Sequence, residues 1–224
     1  MIKAITCIKR KPGMGVEDFQ AHWRGHHAEV VKGLPNMRRY IQSHALLGSY
    51  RKGDLPWDGI AEIWVDSVDV MRTWAGSEAL AAIERDEESF IDRPSMALIL
   101  TREHVIKDGP VPPGAFKNIE FVPRKPGMAV DAFQQYWCEV HGPIAAGIEV
   151  IRRYVQSHTL PGAYRGGRQP PIDGCAITWF DSIDAMRQSA QSPAYEKTRL
   201  DEPNFIDTGS EIPFIITKEH VIID

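Results

Sequence analysis

The chain is an internal duplication, and this repeat limits its fold more than any other feature of the 224 residues. The segment KPGM at residues 11–14 recurs at residues 125–128, and TREHVI at residues 101–106 recurs as TKEHVI at residues 217–222. Between these landmarks the aromatic, glutamine and histidine positions recur in the same order. A repeat of this length is typical of two copies of one domain, each with its own hydrophobic core.

The two copies meet at residues 109–115, GPVPPGA. Proline lacks a backbone donor and glycine adds conformational freedom, so a segment this rich in both favours a linker over a helix or strand. We therefore predict a first domain at residues 1–108, a linker at 109–115 and a second domain at 116–224.

Each copy is expected to fold as strand, helix, strand, strand, helix, strand. This order is the ferredoxin-like pattern, in which two helices cover one face of an antiparallel sheet. The other face also needs cover, so the predicted fold class is α+β, with two ferredoxin-like domains in tandem forming a pseudo-dimeric α/β barrel. The apolar stripe predicted for the first helix is Phe19, Trp23, His26, Val30 and Leu34, repeated as Phe133, Trp137, Val140, Ile144 and Ile148.

One predicted strand in each copy carries a row of large polar side chains. In MRRYIQSHALLGSY at residues 37–50, Tyr, Gln and His occupy alternate positions, and the segment returns as IRRYVQSHTLPGAY at residues 151–164. Alternation with a period of two places these side chains on one face of a strand. The row is a candidate pocket wall, and its members are Tyr40, Gln42, His44, Tyr154, Gln156 and His158.

Composition argues against several classes of partner. Hydrophobic residues make up 43% and charged residues 25% of the chain, and the formal net charge is -4, which is typical of a soluble globular protein and provides no basic footprint for nucleic acid. No apolar stretch approaches a membrane span and the first residues do not form a signal peptide, so we expect a cytoplasmic protein. The three cysteines neither recur between the copies nor have metal-ligand spacing, so no metal site is expected.

The motif order resembles the EthD-like family, whose members belong to the dimeric α/β barrel superfamily. The order is FxxxW, a His four residues later, YxQSH, DG, WxDS and FxD, and it covers nearly the whole chain, once per copy. The second copy has the family's usual HGP at residues 141–143, whereas the first departs from it with HHAE at residues 26–29. The superfamily includes lactone isomerases, polyketide cyclases, dehydratases, cofactor-free monooxygenases and haem-binding members. The resemblance therefore implies a fold and a pocket between sheet and helices, but it does not choose an activity.

The candidate catalytic groups are histidines and tyrosines. A neutral imidazole can accept a proton in one step and return it in the next, and a tyrosine hydroxyl can stabilise an enolate or phenolate oxygen. The strand histidines have the stronger case because they share a face with Tyr and Gln. The competing interpretation is structural, either a half-buried histidine bonded to a backbone carbonyl or a polar ladder that braces the strands. The predicted catalytic residues are His44, His158, His27, His141, Tyr40 and Tyr154, and the predicted substrate-binding residues are Trp23, Trp137, Gln42, Gln156, Asp92 and Asp207.

These residues lead to a functional hypothesis with two alternatives. The leading one is a cofactor-free enzyme that acts on a small oxygenated molecule, aromatic, polyketide-like or lactone, by proton-transfer chemistry of isomerase, lyase or cyclase type. The first alternative is an oxidoreductase or monooxygenase, cofactor-free or haem-dependent, since one axial histidine is enough to hold haem. The second is a small-molecule binding protein without turnover. The sequence also leaves open whether the tandem chain forms a homodimer.

Overall fold

The structure is a computed structural model that describes residues 1–209 and 211–224, apart from the side chain of Lys52. Both copies fold as predicted, with one additional helix each before the closing strand. The first copy contains β1 (Ile2–Ile8), α1 (Val16–His22), α2 (Ala28–Val31), β2 (Arg39–Ala45), β3 (Gly59–Val65), α3 (Val68–Trp74), α4 (Glu78–Phe90) and β4 (Ala97–Lys107). The second contains β5 (Phe116–Val122), α5 (Val130–Tyr136), α6 (Gly142–Ala146), β6 (Arg153–Thr159), β7 (Gly174–Phe180), α7 (Ile183–Ser189), α8 (Pro193–Asp201) and β8 (Phe214–Ile223).

Serine side chains start the additional helices. Ser77 accepts a hydrogen bond from the backbone N–H of Leu80 at the start of α4, and Ser192 accepts one from Tyr195 at the start of α8. Each bond satisfies a backbone donor that the first helical turn leaves free. The FxD motif at residues 90–92 begins within a helix, because Phe90 is the last residue of α4. Among the described residues no helix is both long and apolar enough to span a bilayer.

A π-helical turn interrupts the first helix of each copy. It lies at Trp23–His27 between α1 and α2, and at Trp137–His141 between α5 and α6. A π turn holds more residues than an α turn, so the buried stripe moves by one position after it. The structure buries His27 and His141 and exposes His26 and Val140. The predicted spacing of the apolar stripe is therefore wrong within this turn, because it assumed an uninterrupted α-helix.

The closing strands pass from one copy to the other. Residues 1–100 and 217–224 form one compact unit, here unit 1, and residues 101–216 form unit 2. In unit 1 the antiparallel strand order is β1-β3-β2-β8, and in unit 2 it is β5-β7-β6-β4. Each copy thus provides the fourth strand of the other unit, which the division of the sequence at the linker does not reveal.

The predicted fold class is confirmed. Each unit is a four-stranded antiparallel sheet with helices packed against it, as the predicted ferredoxin-like domains require. Each unit also has an apolar core in which helices meet the sheet. In unit 1 it contains Ile8, Phe19, Trp23, Phe90 and Ile91. In unit 2 its equivalent contains Val122, Phe133, Trp137, Phe205 and Ile206.

Removal of residues 217–224 should destabilise unit 1 selectively. β2 is paired with β8 from Tyr40 to Ala45, and each lost backbone hydrogen bond costs about 0.5–1.5 kcal/mol. Hydrogen exchange should show loss of amide protection along β2, whereas β6 keeps its partner β4. Removal of Asp224 alone, which lies beyond β8, is the control. Unchanged protection of β2 in the longer deletion would show that β8 does not support it.

Candidate active site

A glutamine on the middle of each polar row connects the sheet to the helix above it. In unit 2, Nε2 of Gln156 donates to the backbone carbonyl of Trp137 at 2.8 Å and to the hydroxyl oxygen of Tyr154 at 3.0 Å. Its Oε1 lies 2.9 Å from Nε2 of His158. The backbone carbonyl of Trp137 can only accept, so the NH₂ group of Gln156 must face it. The Oε1 of Gln156 then faces His158, which must carry its proton on Nε2.

Unit 1 repeats this network. Nε2 of Gln42 lies 2.8 Å from both the carbonyl oxygen of Trp23 and the hydroxyl oxygen of Tyr40, and its Oε1 lies 3.0 Å from Nε2 of His44. The predicted Tyr-Gln-His rows are therefore on one strand face in both units. They form hydrogen-bonded chains that reach the π turn, which the sequence did not predict.

The strand histidines are covered by the tryptophan of the π turn. The rings of Trp137 and His158 are stacked with centroids 4.5 Å apart and 5° between their planes, and Trp23 and His44 are stacked at 4.3 Å. The tryptophan also lies over the glycine of the DG motif. A Cβ on Gly174 would lie 2.6 Å from a ring carbon of Trp137, so only glycine allows this approach.

Burial keeps the strand histidines neutral. It lowers the pKa of His44 to about 3, with neighbouring His220 and Arg24 adding to the effect, and it lowers the pKa of His158 to about 3, with His104 adding to it. A base this weak gains little driving force as a proton acceptor near neutral pH. The geometry thus favours a positioning role for these two side chains, and their predicted catalytic role stays a prediction.

The helix histidines instead contact carboxylates. Nδ1 of His141 lies 2.9 Å from Oδ2 of Asp201, and Nδ1 of His27 lies 2.7 Å from Oδ2 of Asp86. Burial lowers the pKa of both imidazoles although the carboxylates oppose this change. A neutral His141 that donates from Nδ1 to Asp201 has its Nε2 lone pair available to accept a proton.

The carboxylates that contact the helix histidines are not among the predicted site residues. Asp92 and Asp207, the predicted substrate-binding aspartates, make turn contacts, and their predicted role stays a prediction. Asp207 accepts from the N–H of Gly209, and the backbone carbonyl of Asp92 accepts from Ser95. A usable signal existed, since an Asp four residues before the repeated Phe occurs in both copies, at residues 86 and 201.

A cavity of about 310 Å³ lies between the sheet and the helices of unit 2. Its wall includes Trp137, His141 and Tyr154 from the predicted site. Gln156 and His158 are behind this wall and do not line it. This volume is at the lower end of the range for small-molecule sites.

Smaller side chains make room for the cavity in unit 2. Ser189 lines it where the repeat places Trp74 in unit 1, and that tryptophan is buried and donates from Nε1 to the carbonyl of Pro35 at 2.9 Å. Thr198 likewise stands where unit 1 has buried Ile83. The two units therefore share the polar network but not the space in front of it.

The sheet face below the cavity is also more polar in unit 2. Strand register aligns Asn118, Thr178 and Tyr154 in one row across β5, β7 and β6, and all three line the cavity. In unit 1 the corresponding row is Ala4, Ile63 and Tyr40. Only the tyrosine is common to both rows.

Two carboxyl groups share one arginine on the cavity wall. Arg199 lies 2.8 Å from Oε1 of Glu202 and 3.6 Å from Oε1 of Glu120, and all three line the cavity. Burial raises the pKa of Glu202 to about 7 against the effect of Arg199, and it raises the pKa of Glu120 as well. Within the described part of the chain, no three His, Cys, Asp or Glu side chains are grouped so that they could hold a metal ion.

Comparison with known proteins identifies a family and a fold. A family model described as EthD domain matches residues 11–94 and again residues 125–209. Comparison with curated protein sequences found no match.

Among solved structures, the chain resembles an anthrone oxidase-like protein (12% identity, 100% of this chain and 94% of that chain covered, TM-score 0.64). It also resembles a monooxygenase candidate from Lactobacillus acidophilus NCFM (8% identity, 98% and 94% covered, TM-score 0.58). A mutant chlorite dismutase from Candidatus Nitrospira defluvii matches at 8% identity, with 97% and 91% covered and a TM-score of 0.51. At such identities these matches show the fold alone.

Glu202→Gln should change how stability depends on pH. Because the pKa of Glu202 is raised from 4.5 to about 7 in the folded protein, its stabilising contribution is complete below pH 4.5 and is lost as pH rises through 7. The variant cannot titrate, so its free energy of unfolding relative to wild type should rise between pH 5 and 8, by about 3 kcal/mol at most. Urea denaturation at each pH measures this difference, with Glu196→Gln, an exposed position on α8, as control. Parallel curves for the variant and wild type would contradict the assignment.

Proposed function

The chain belongs to the EthD family, and we propose that unit 2 is a cofactor-free enzyme that moves a proton on a small oxygenated organic molecule. The observation that carries the proposal is the cavity of unit 2, in whose wall a carboxylate-bound histidine and a buried tyrosine hydroxyl both take part. The substrate class is an aromatic ketone, polyketide-like compound or lactone. Such molecules have an acidic C–H beside a carbonyl group.

His141 is the proposed proton acceptor. Asp201 accepts from Nδ1 and leaves Nε2 to take the proton, and Asp201 is itself held by Tyr136, whose hydroxyl donates at 2.7 Å. The carboxylate also stabilises the imidazolium that forms on proton transfer. In the proposed step the C–H electron pair forms the C=C bond of an enolate, the carbonyl π pair moves onto the oxygen, and the proton goes to Nε2. Where the enolate is conjugated with a second C=C bond, return of the proton to the far carbon completes an isomerisation.

Tyr154 is the proposed hydrogen-bond donor to the enolate oxygen. Its oxygen accepts from Gln156 and, at 3.3 Å, from Nε1 of Trp137, so its own hydrogen is left to donate. Burial raises the pKa of the Tyr154 hydroxyl, which keeps the proton on it at neutral pH. A donor held in place before the reaction stabilises charge as it develops without the cost of reorganisation.

His141→Ala should abolish most proton abstraction. The probe is 2-tetralone in D₂O, because exchange of its α-hydrogens reports enolisation without requiring the natural substrate. The loss of a general base lowers rates roughly 10²–10⁴-fold, and Tyr154→Phe should lower the rate about 10²–10³-fold through loss of one oxyanion donor. Mass spectrometry of deuterium uptake gives the rate.

Unit 1 supplies the matched controls for this experiment. His27→Ala and Tyr40→Phe remove the same groups beside the buried Trp74 and should leave the exchange rate close to that of wild type. Equal losses in the two units, or no exchange above buffer with wild-type protein and a panel of related ketones and lactones, would overturn the proposal.

His158→Ala should lower both activity and stability, whereas His44→Ala should lower stability alone. Each substitution leaves the Oε1 of a buried glutamine without its donor, which costs about 1–3 kcal/mol. In unit 2 a loosened Gln156 also frees Tyr154 to move. Melting temperature and the exchange rate below it separate these effects. Normal turnover by folded His158→Ala protein would limit the strand histidine to a structural role.

An oxidoreductase is the second candidate function. An imidazole whose Nδ1 is bonded to a carboxylate also suits metal ligation through Nε2, which is the arrangement at His141. An absorption spectrum of the purified protein tests the haem-dependent form, since bound haem gives an intense Soret band. Oxygen consumption with a reduced aromatic compound tests the cofactor-free form. A ligand that binds without exchange or oxidation would instead favour a binding protein.

A further inference from the structure

Unit 2 has polar groups in its cavity that the proposed proton transfer does not use. Asn118 and Glu120 lie on β5 and line the cavity, and unit 1 has Ala4 and Thr6 at the same positions of β1. Polar atoms on a largely apolar wall cost free energy unless they bond to something. Their presence only where the cavity is open suggests that they contact what enters it.

Glu120 faces the cavity without a hydrogen bond from any residue that the structure describes. The nearest cation is Arg199, whose Nη1 is 3.6 Å away, longer than a hydrogen bond, and is engaged with Glu202 at 2.8 Å. The side chain of Glu120 keeps 29% of its surface accessible. At least one oxygen of Glu120 can accept a hydrogen bond in either protonation state.

Asn118 provides a second acceptor on the same strand. Its Oδ1 is buried and has no hydrogen-bond partner among the residues of the described ranges. Side chains two residues apart on a strand point to the same face, so Asn118 and Glu120 line the cavity next to each other. A buried carbonyl oxygen without a donor is unfavourable, and a bound donor removes that cost.

The charge balance favours a neutral donor over a cationic one. Arg199 already supplies one positive charge beside the two carboxyl groups. Burial raises the pKa of both carboxyls, which opposes two negative charges at this site. A hydroxyl group fits this site without adding a charge, whereas an ammonium group would bring an unbalanced one into the cavity.

We propose that Asn118 and Glu120 form a subsite for a hydroxyl group of the substrate, at the end opposite to the carbonyl group held by Tyr154. β7 lies between β5 and β6, so the two ends are two strand spacings apart, about 9.6 Å at the backbone. The substrate is therefore a ketone or lactone whose hydroxyl and reacting carbonyl are separated by a ring system. This inference rests on the proposed function only in placing the carbonyl at Tyr154.

Three tetralones test the subsite by calorimetric titration. 6-Hydroxy-2-tetralone carries a donor across the ring system from its carbonyl, 6-methoxy-2-tetralone replaces that donor with an ether of similar shape, and 2-tetralone carries neither. Wild-type protein should bind the hydroxyl compound at least about 10-fold more tightly than the methoxy compound. Asn118→Ala and Glu120→Thr, which install the residues of unit 1, should each reduce this preference several-fold and leave the affinity for 2-tetralone unchanged.

Thr6→Ala in unit 1 is the control and should keep the full preference. Equal affinity of wild type for the hydroxyl and methoxy compounds, or an undiminished preference in both variants, overturns the subsite. If Glu120→Thr does not fold, Asn118→Ala decides the outcome alone. Probes that bind with the expected preference but do not exchange their α-hydrogens support the subsite and overturn the proposed chemistry. Absence of binding by all three overturns both.

Discussion

One amide holds the site of each unit together. Gln156 donates twice from the same nitrogen, to a carbonyl of the π turn and to the hydroxyl of Tyr154. A π turn widens the helix and aims the Trp137 carbonyl, which also accepts from Gly142, toward the sheet. An apolar side chain in place of Gln156 would leave the Tyr154 hydroxyl without its amide donor. Gln156 thus connects the helix to the sheet and, together with Trp137, sets the direction of the tyrosine hydrogen.

Duplication allowed the two units to diverge around this shared network. In unit 1, Trp74 and Ile83 fill the space that Ser189 and Thr198 leave open in unit 2. Burial of large apolar side chains stabilises a fold. A cavity lacks this stabilisation, by roughly 24 cal/mol for each Å³ in measured cavity series. A cavity of about 310 Å³ is therefore a costly feature for a copy that needs only to fold. The function proposed for unit 2 accounts for this cost.

Much of this fold was predictable because a repeat and a period of two are local signals. The rows ending in His44 and His158 were assigned to the correct strands and to one face. The predicted apolar stripe was wrong inside the π turn. A periodicity argument assumes a regular α-helix, and the extra residue of a π turn changes which side chain is buried. Asp201 was not predicted as the partner of His141. The two residues are sixty positions apart, and their contact depends on how the helices pack, which a sequence repeat does not reveal.

The two histidines of unit 2 illustrate why identical side chains differ in chemistry. His158 donates from Nε2 to a neutral amide, is stacked under Trp137, and has its pKa lowered to about 3 by burial. No carboxylate of the described residues opposes that effect, so protonation would place an uncompensated charge in the core. His141 donates from Nδ1 to Asp201, so the charge that appears when Nε2 is protonated meets an opposite charge 2.9 Å away. Burial lowers the pKa of His141 as well, but its cost is offset at the moment of proton transfer, which makes the helix histidine the one suited to accept a proton.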